Sequence, residues 1–221
     1  MAPRQRFLLI AVVALAAIAI SAQVALSSPW LGLELSPHDG PEGLRVDRVH
    51  PDSPNAGVIR VGSIIVGLQA ADGRQIPLHG NLVMEEPDLL SHTDLNLFMK
   101  RQTELDQALR SGGARFVLAS GDQVPAVAID TPWHQLSGGF SIHTFYGLIA
   151  LMVAVGIWAF RPKSAATRLY ALSGVATMVN TLTLAIYGDR EFVLSGDVFA
   201  VVSAVNHLAT LMVNASLVSL F

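Results

Sequence analysis

Four apolar runs, each long enough to cross a bilayer, leave this chain few ways to fold. Phe7 to Leu26 is the first, twenty residues with no charge among them. Phe140–Phe160, Leu169–Tyr187 and Val198–Phe221 are the others. A hydrocarbon core of ~30 Å needs about 20 such residues in a helix. Arg4 and Arg6 precede the first run, and Arg161, Lys163 and Arg168 fall between the second and third. If every run crosses, all five share one side, which the positive-inside rule makes cytoplasmic. Residues 30–139 and 188–197 then face the other side. A cleaved signal peptide is the rival reading of the first run. Ala19-Ile20-Ser21 offers only a weak cleavage site and the run is long for a leader, so a retained anchor is expected.

Composition agrees with the runs. The chain is 52% hydrophobic and 14% charged, too apolar for an ordinary soluble protein. It has no cysteine, which excludes disulfides and thiolate metal sites. A net charge of −3 gives no case for nucleic acid. Polar residues concentrate at 27–139, where fourteen Asp and Glu face eight Lys and Arg, a net of 8 − 14 = −6.

Within that block Leu31, Leu33 and Leu35 alternate with Gly32 and Glu34, the period of a half-buried strand. Leu44, Val46 and Val49 form a second strand whose broken period predicts a bulge. Pro51-Asp52-Ser53-Pro54 is expected to cap one short helical turn closed by Gly57. Ser63–Leu68 and Gln75–Leu78 read as strands around an Asp72-Gly73 turn. Leu105 and Leu109 mark one face of a helix over Glu104–Leu109, stopped by Gly112-Gly113. Arg115–Ala119 and Val124–Ile129 read as a hairpin turning at Ser120-Gly121-Asp122. Pro87 is expected to open a short extra helix through Leu90, Leu95 and Phe98.

The stretch GLRVDRVHPDSPNAGVIRVGSIIVGLQAADG resembles a PDZ domain: a strand, Ser-Pro, Ala-Gly, then Gly before an Ile-rich strand and a Gly turn. Ser63 departs from the family's usual Asp, and the Ser-Pro helix is short. The hairpin strand after the helix resembles the bacterial arrangement. The resemblance implies a carboxylate-binding loop at Trp30, Leu31, Gly32 and Leu33. It also implies a peptide groove between Glu34–Leu35 and the helix bearing Leu105 and Leu109. The partner would be a peptide or protein C-terminus, added as a strand. Another small sheet domain with similar turns, such as a lone β-barrel, also fits these residues. So does a groove that the chain fills itself. Residues 79–100 exceed what the family needs, and are expected to touch ligand, cover an edge or fill that groove.

The fold class expected is a membrane protein, an α-helical bundle of four spans with an inserted α+β PDZ-like domain. Its parts are an anchor at 1–29, the domain at 30–137 and three helices at 138–221. Ser203, His207, Thr210 and Asn214 share a face of the last span, as Ser173, Thr177 and Asn180 do in the span before it. Asn180, His207 and Asn214 are expected to hydrogen-bond between helices, with a pathway or switch as the sharper alternative. One histidine per helix, His143 and His207, is too weak a pattern for haem. The remaining histidines lack metal-ligand spacing. No metal and no cofactor are expected.

The chain has no HExxH, no GxSxG and no GxxxxGK[ST], so no enzyme is expected within it. An anchor, an extracytoplasmic PDZ-like domain and further spans resemble the input half of PDZ-bearing bacterial membrane histidine kinases. That resemblance implies signal transduction at the bacterial inner membrane. It also implies that the sequence is a fragment, truncated before an output domain. The alternative is a component of protein export or envelope quality control that recruits substrate proteins. The lipid bilayer is an expected partner, and a homodimer is left open.

Overall fold

The computed structural model describes residues 3–38, 42–85, 87, 90–136, 138–188 and 190–219. The chain divides into two compact units. One comprises Met1–Leu26, His134–Asp189 and Val201–Phe221, and the other Ser27–Trp133 with Arg190–Ala200. The domain expected at 30–137 is therefore not contiguous, because it takes in a second stretch from the far end of the chain.

The helical unit holds α1 (Pro3–Leu26), α3 (Gly138–Phe160), α4 (Ala165–Tyr187) and most of α5 (Gly196–Val218). All four helices are long and apolar enough to cross a membrane by length and composition. Ala14, Leu151, Val155, Met178 and Leu182 form the buried seam of α1, α3 and α4. Small residues let α3 and α4 approach closely: a Cβ on Gly174 would collide with Ala154, and one on Gly147 with Thr181. Pro162 and the Ser164 N-cap separate α3 from α4.

Polar contacts join α4 to α5. Asn206 is buried, and its Nδ2 donates to the Asn180 carbonyl at 2.9 Å and to Thr183 Oγ1 at 3.0 Å. Asn180 Nδ2 donates to Thr210 Oγ1 at 2.7 Å. His207 and Asn214 lie on the exposed face instead, and His207 Nδ1 sits 2.8 Å from the Ser203 carbonyl one turn back. Of the expected stripe, Asn180 and Thr210 thus bond between the helices, while Asn206, one residue or about 100° of helix away, takes the inward place expected of His207. Asn206→Leu should cost roughly 0.6–2 kcal/mol of bundle stability, the range for a hydrogen bond between membrane helices. His207→Leu should cost less. Reversible unfolding in detergent checks both, and a larger loss for His207→Leu would contradict this arrangement.

The second unit is built on a six-stranded sheet ordered β2-β3-β4-β6-β7, with β5 also on β4. Its strands are β2 (Leu33–Pro37), β3 (Leu44–Val49), β4 (Ile64–Gln69), β5 (Gln75–Pro77), β6 (Arg115–Leu118) and β7 (Gln123–Pro125). A two-stranded ribbon, β1 (Pro29–Trp30) with β8 (Ile129–Asp130), ties the ends of the domain together. The sheet is open rather than a closed barrel, and β2 pairs only β3 among the described residues. The register of β2 on β3 skips Asp47, which places the expected bulge there. Leu33, Leu44, Val46, Ile65, Leu68, Ile76 and Phe116 are fully buried; Ile65 and Leu68, three apart on β4, both face inward because the register of β4 on β6 skips Val66.

Helix α2 (His92–Arg110) covers the sheet. It replaces the two short helices expected at 87–98 and 104–109. Ser91 caps it, accepting from the Asp94 amide at 3.2 Å, and no Gly or Pro interrupts it before Gly112. Phe98, Leu105 and Leu109 turn inward at steps that fit one helical face. Residues 51–59 form successive turns and no helix. Residues 88 and 89, within the stretch expected to form the extra helix, lie outside the described residues.

Candidate functional site

Trp30, Leu31, Gly32 and Leu33 form a buried loop leading into the edge strand β2. Its shape follows from where its carbonyls go. The Leu31 carbonyl accepts from Ser53 Oγ at 2.7 Å and from Asn55 Nδ2 at 2.9 Å, and the Gly32 carbonyl from the His50 amide at 2.8 Å. Asn55 is itself fixed, exchanging hydrogen bonds with the backbone of Val127 at 2.8 and 2.9 Å. Ser53 Oγ also accepts from the Asn55 amide at 3.0 Å. Ser53, in the stretch expected to cap a helical turn, is used instead with Asn55 to hold the loop, and no helix forms. Gly32 has φ +70°, a conformation that favours glycine.

With two carbonyls tied back, the amides of Leu31 and Leu33 converge on one carboxyl group. Leu31 N–H donates to Glu191 Oε2 at 2.7 Å and Leu33 N–H to Glu191 Oε1 at 2.5 Å. Two backbone donors, two residues apart, are thus aimed at one carboxyl group, as in backbone nests that hold anions. Glu191 is half-buried as a residue, with its carboxyl at the inner end against the fully buried Leu31 and Leu33. Burial pushes its carboxyl up to about 7, Glu34 adds to the rise, and the amides of 31–33 oppose it.

The residues after Glu191 lie on α2. Phe192, Val193 and Leu194 are buried. Gln102, fully buried on the inner face of α2, reads their backbone: its Oε1 accepts from Leu194 N–H at 3.0 Å and its Nε2 donates to the Phe192 carbonyl at 3.5 Å. The same Nε2 donates to the Leu82 carbonyl at 3.2 Å. Gly196 N–H donates to Thr103 Oγ1 at 3.1 Å. Arg190 stacks on Phe199 at 4.9 Å from the ring centre, and Phe199 meets Phe98 edge-on.

Of the residues singled out from sequence, Trp30, Leu31, Gly32 and Leu33 therefore form the cradle. Glu34 is exposed and pairs with Arg48, with His50 Nε2 3.8 Å away. Leu35 is half-buried on the edge strand. Leu105 and Leu109 are buried in the core beneath α2. Glu191 occupies the cradle, and the turn at Gly80–Val83, within the 79–100 stretch, packs against Pro37 of β2 and is held to α2 by Gln102 Nε2 on the Leu82 carbonyl, so 79–100 as well as 190–195 lies against these two elements. Glu191, Gln102, Ser53 and Asn55 were not foreseen. Their signals were an apolar Phe-Val-Leu in a loop between spans and a glutamine between Phe98 and Leu105 on an apolar face.

Compared with known proteins, the chain matches no family model, no curated protein sequence and no solved structure.

Proposed function

We propose that this protein is a membrane-anchored PDZ-like module that binds the carboxyl end of a peptide or protein. We further propose that it serves as the sensory input region of a bacterial signal-transducing receptor of the histidine-kinase type. Its domain would face the extracytoplasmic side of the inner membrane. One observation carries the reading: the amides of Leu31 and Leu33 meet on a single carboxyl group at the mouth of an edge strand. That is the chemistry that would hold a terminal carboxylate. Among the described residues no second strand pairs β2, which leaves its outer edge for strand addition, and Gln102 supplies an amide that pairs with extended backbone. The separation of charge around the four helices supports the sidedness.

The test uses the full chain in lipid nanodiscs with a fluorescent pool of octapeptides bearing free C-termini, and the same pool amidated. Binding should require the free carboxylate. Equal binding of both pools would refute carboxylate recognition.

A further inference from the structure

We propose that residues 190–195 are a tethered ligand, with Glu191 standing in the cradle for the terminal carboxylate of an incoming peptide, so that the groove is open only when this segment has left. The inference rests on the peptide-binding reading and adds its regulation.

The segment copies the contacts a bound peptide end would make. Both oxygens of Glu191 are used, one on each amide of the cradle. Two residues of backbone are then read by Gln102, and a third contact falls on Thr103. None of these contacts is one that only this segment could supply. Each uses a carboxylate or a backbone group, which any peptide carries. Gln102 is fully buried, so its amide would be left poorly paired without an occupant. An arriving peptide restores that pairing. The segment also leaves something for a competitor to gain: no strand pairs the outer edge of β2 among the described residues. A peptide that seats its carboxylate and adds to that edge makes backbone bonds the tethered segment does not make.

The tether gives the competition a consequence. Residues 188–195 connect α4 to α5, and the first turn of α5 is fastened to the domain at Gly196 and Phe199. A Cβ on Gly196 would collide with the Met99 carbonyl, so this seat admits little adjustment. Displacing Glu191 by ligand therefore loosens the leading turn of α5, which is the route from groove to membrane helix.

Because the chain lacks cysteine, Val193→Cys reports on the segment directly. Val193 is 1% exposed. In the full chain in nanodiscs, Val193→Cys should react with a thiol reagent at least tenfold more slowly than Gln75→Cys, an exposed control. Adding Glu191→Ala should remove most of that protection. Gly196→Val, which leaves the cradle intact, should do the same. Both variants, with Val193 restored, should bind the free-carboxylate octapeptide pool at least tenfold more tightly than the unsubstituted chain, and the amidated pool no better. Rapid labelling of Val193→Cys with Glu191 in place would overturn the tethered-ligand proposal. So would equal peptide affinity with and without Glu191, which leaves peptide recognition standing. If Glu191→Ala exposes residue 193 and neither pool binds any variant, peptide recognition itself fails and the competition with it.

Discussion

Gly32→Val is expected to dismantle the cradle at a cost of roughly 2–5 kcal/mol. Two effects add. The residue sits at φ +70°, where a side chain costs roughly 1–2 kcal/mol and a β-branched one no less. A Cβ would also lie 2.5 Å from Ser53 Cβ and 2.7 Å from its Cα, which is backbone and cannot swing aside. Overpacking of this kind costs about 1–3 kcal/mol. Ser53 is the residue that holds the Leu31 carbonyl, so relieving the clash breaks the bond that turns the loop. Gly62→Val separates the two effects. Gly62 has φ +85° and nothing within 4 Å of an added Cβ, so that variant should show only the dihedral cost. The measurement is hydrogen exchange at the Leu31 and Leu33 amides in the full chain. Both should exchange markedly faster in Gly32→Val and little faster in Gly62→Val. Equal protection in the two variants would mean that Ser53 yields and the loop survives.

The same site marks the boundary of what sequence reveals. Strand period put Leu31, Leu33, Leu44 and Val46 on buried faces because side chains alternate along a strand. The skipped beat between Val46 and Val49 located the bulge at Asp47 for the same reason. The four apolar helices were legible from their length and composition. What failed was anything set by tertiary partners. Ser53 and Asn55 favour turns and helix caps alike, and only the distant carbonyls of Leu31 and Val127 decide which they serve. In α5 the polar residues Asn206 and His207 are adjacent, and only the placement of Asn180 and Thr183 selects Asn206 as the inward one. Glu191 stands 158 residues beyond Leu33, and no local pattern links a loop carboxylate to a backbone nest that far away.

Docking of the Glu191 segment should weaken as pH rises. The carboxyl is pushed up to about 7 when docked, against an ordinary value of 4.5. A group with a raised value binds its proton more tightly in the docked state. Its contribution to docking is then full below pH 4.5 and is lost as pH rises through about 7. Burial is the first cause and Glu34 on β2 the repulsive charge, while the amides of 31–33 work in the opposite sense. Glu34 is itself paired with Arg48 on β3 and faces His50, so its charge is partly compensated. Because Glu191 is half-buried rather than sealed, the effect is discounted to at least tenfold, out of roughly a hundredfold for the full shift, between pH 5 and 8. The reporter is the labelling rate of Val193→Cys divided by that of Gln75→Cys at each pH, which cancels much of the reagent's own dependence on thiolate. The ratio should climb toward one as pH rises, and Glu191→Gln, which cannot titrate, should flatten it. A ratio that falls with rising pH would mean that the ionised carboxylate is the form the amides of Leu31 and Leu33 prefer, and that the nest outweighs burial.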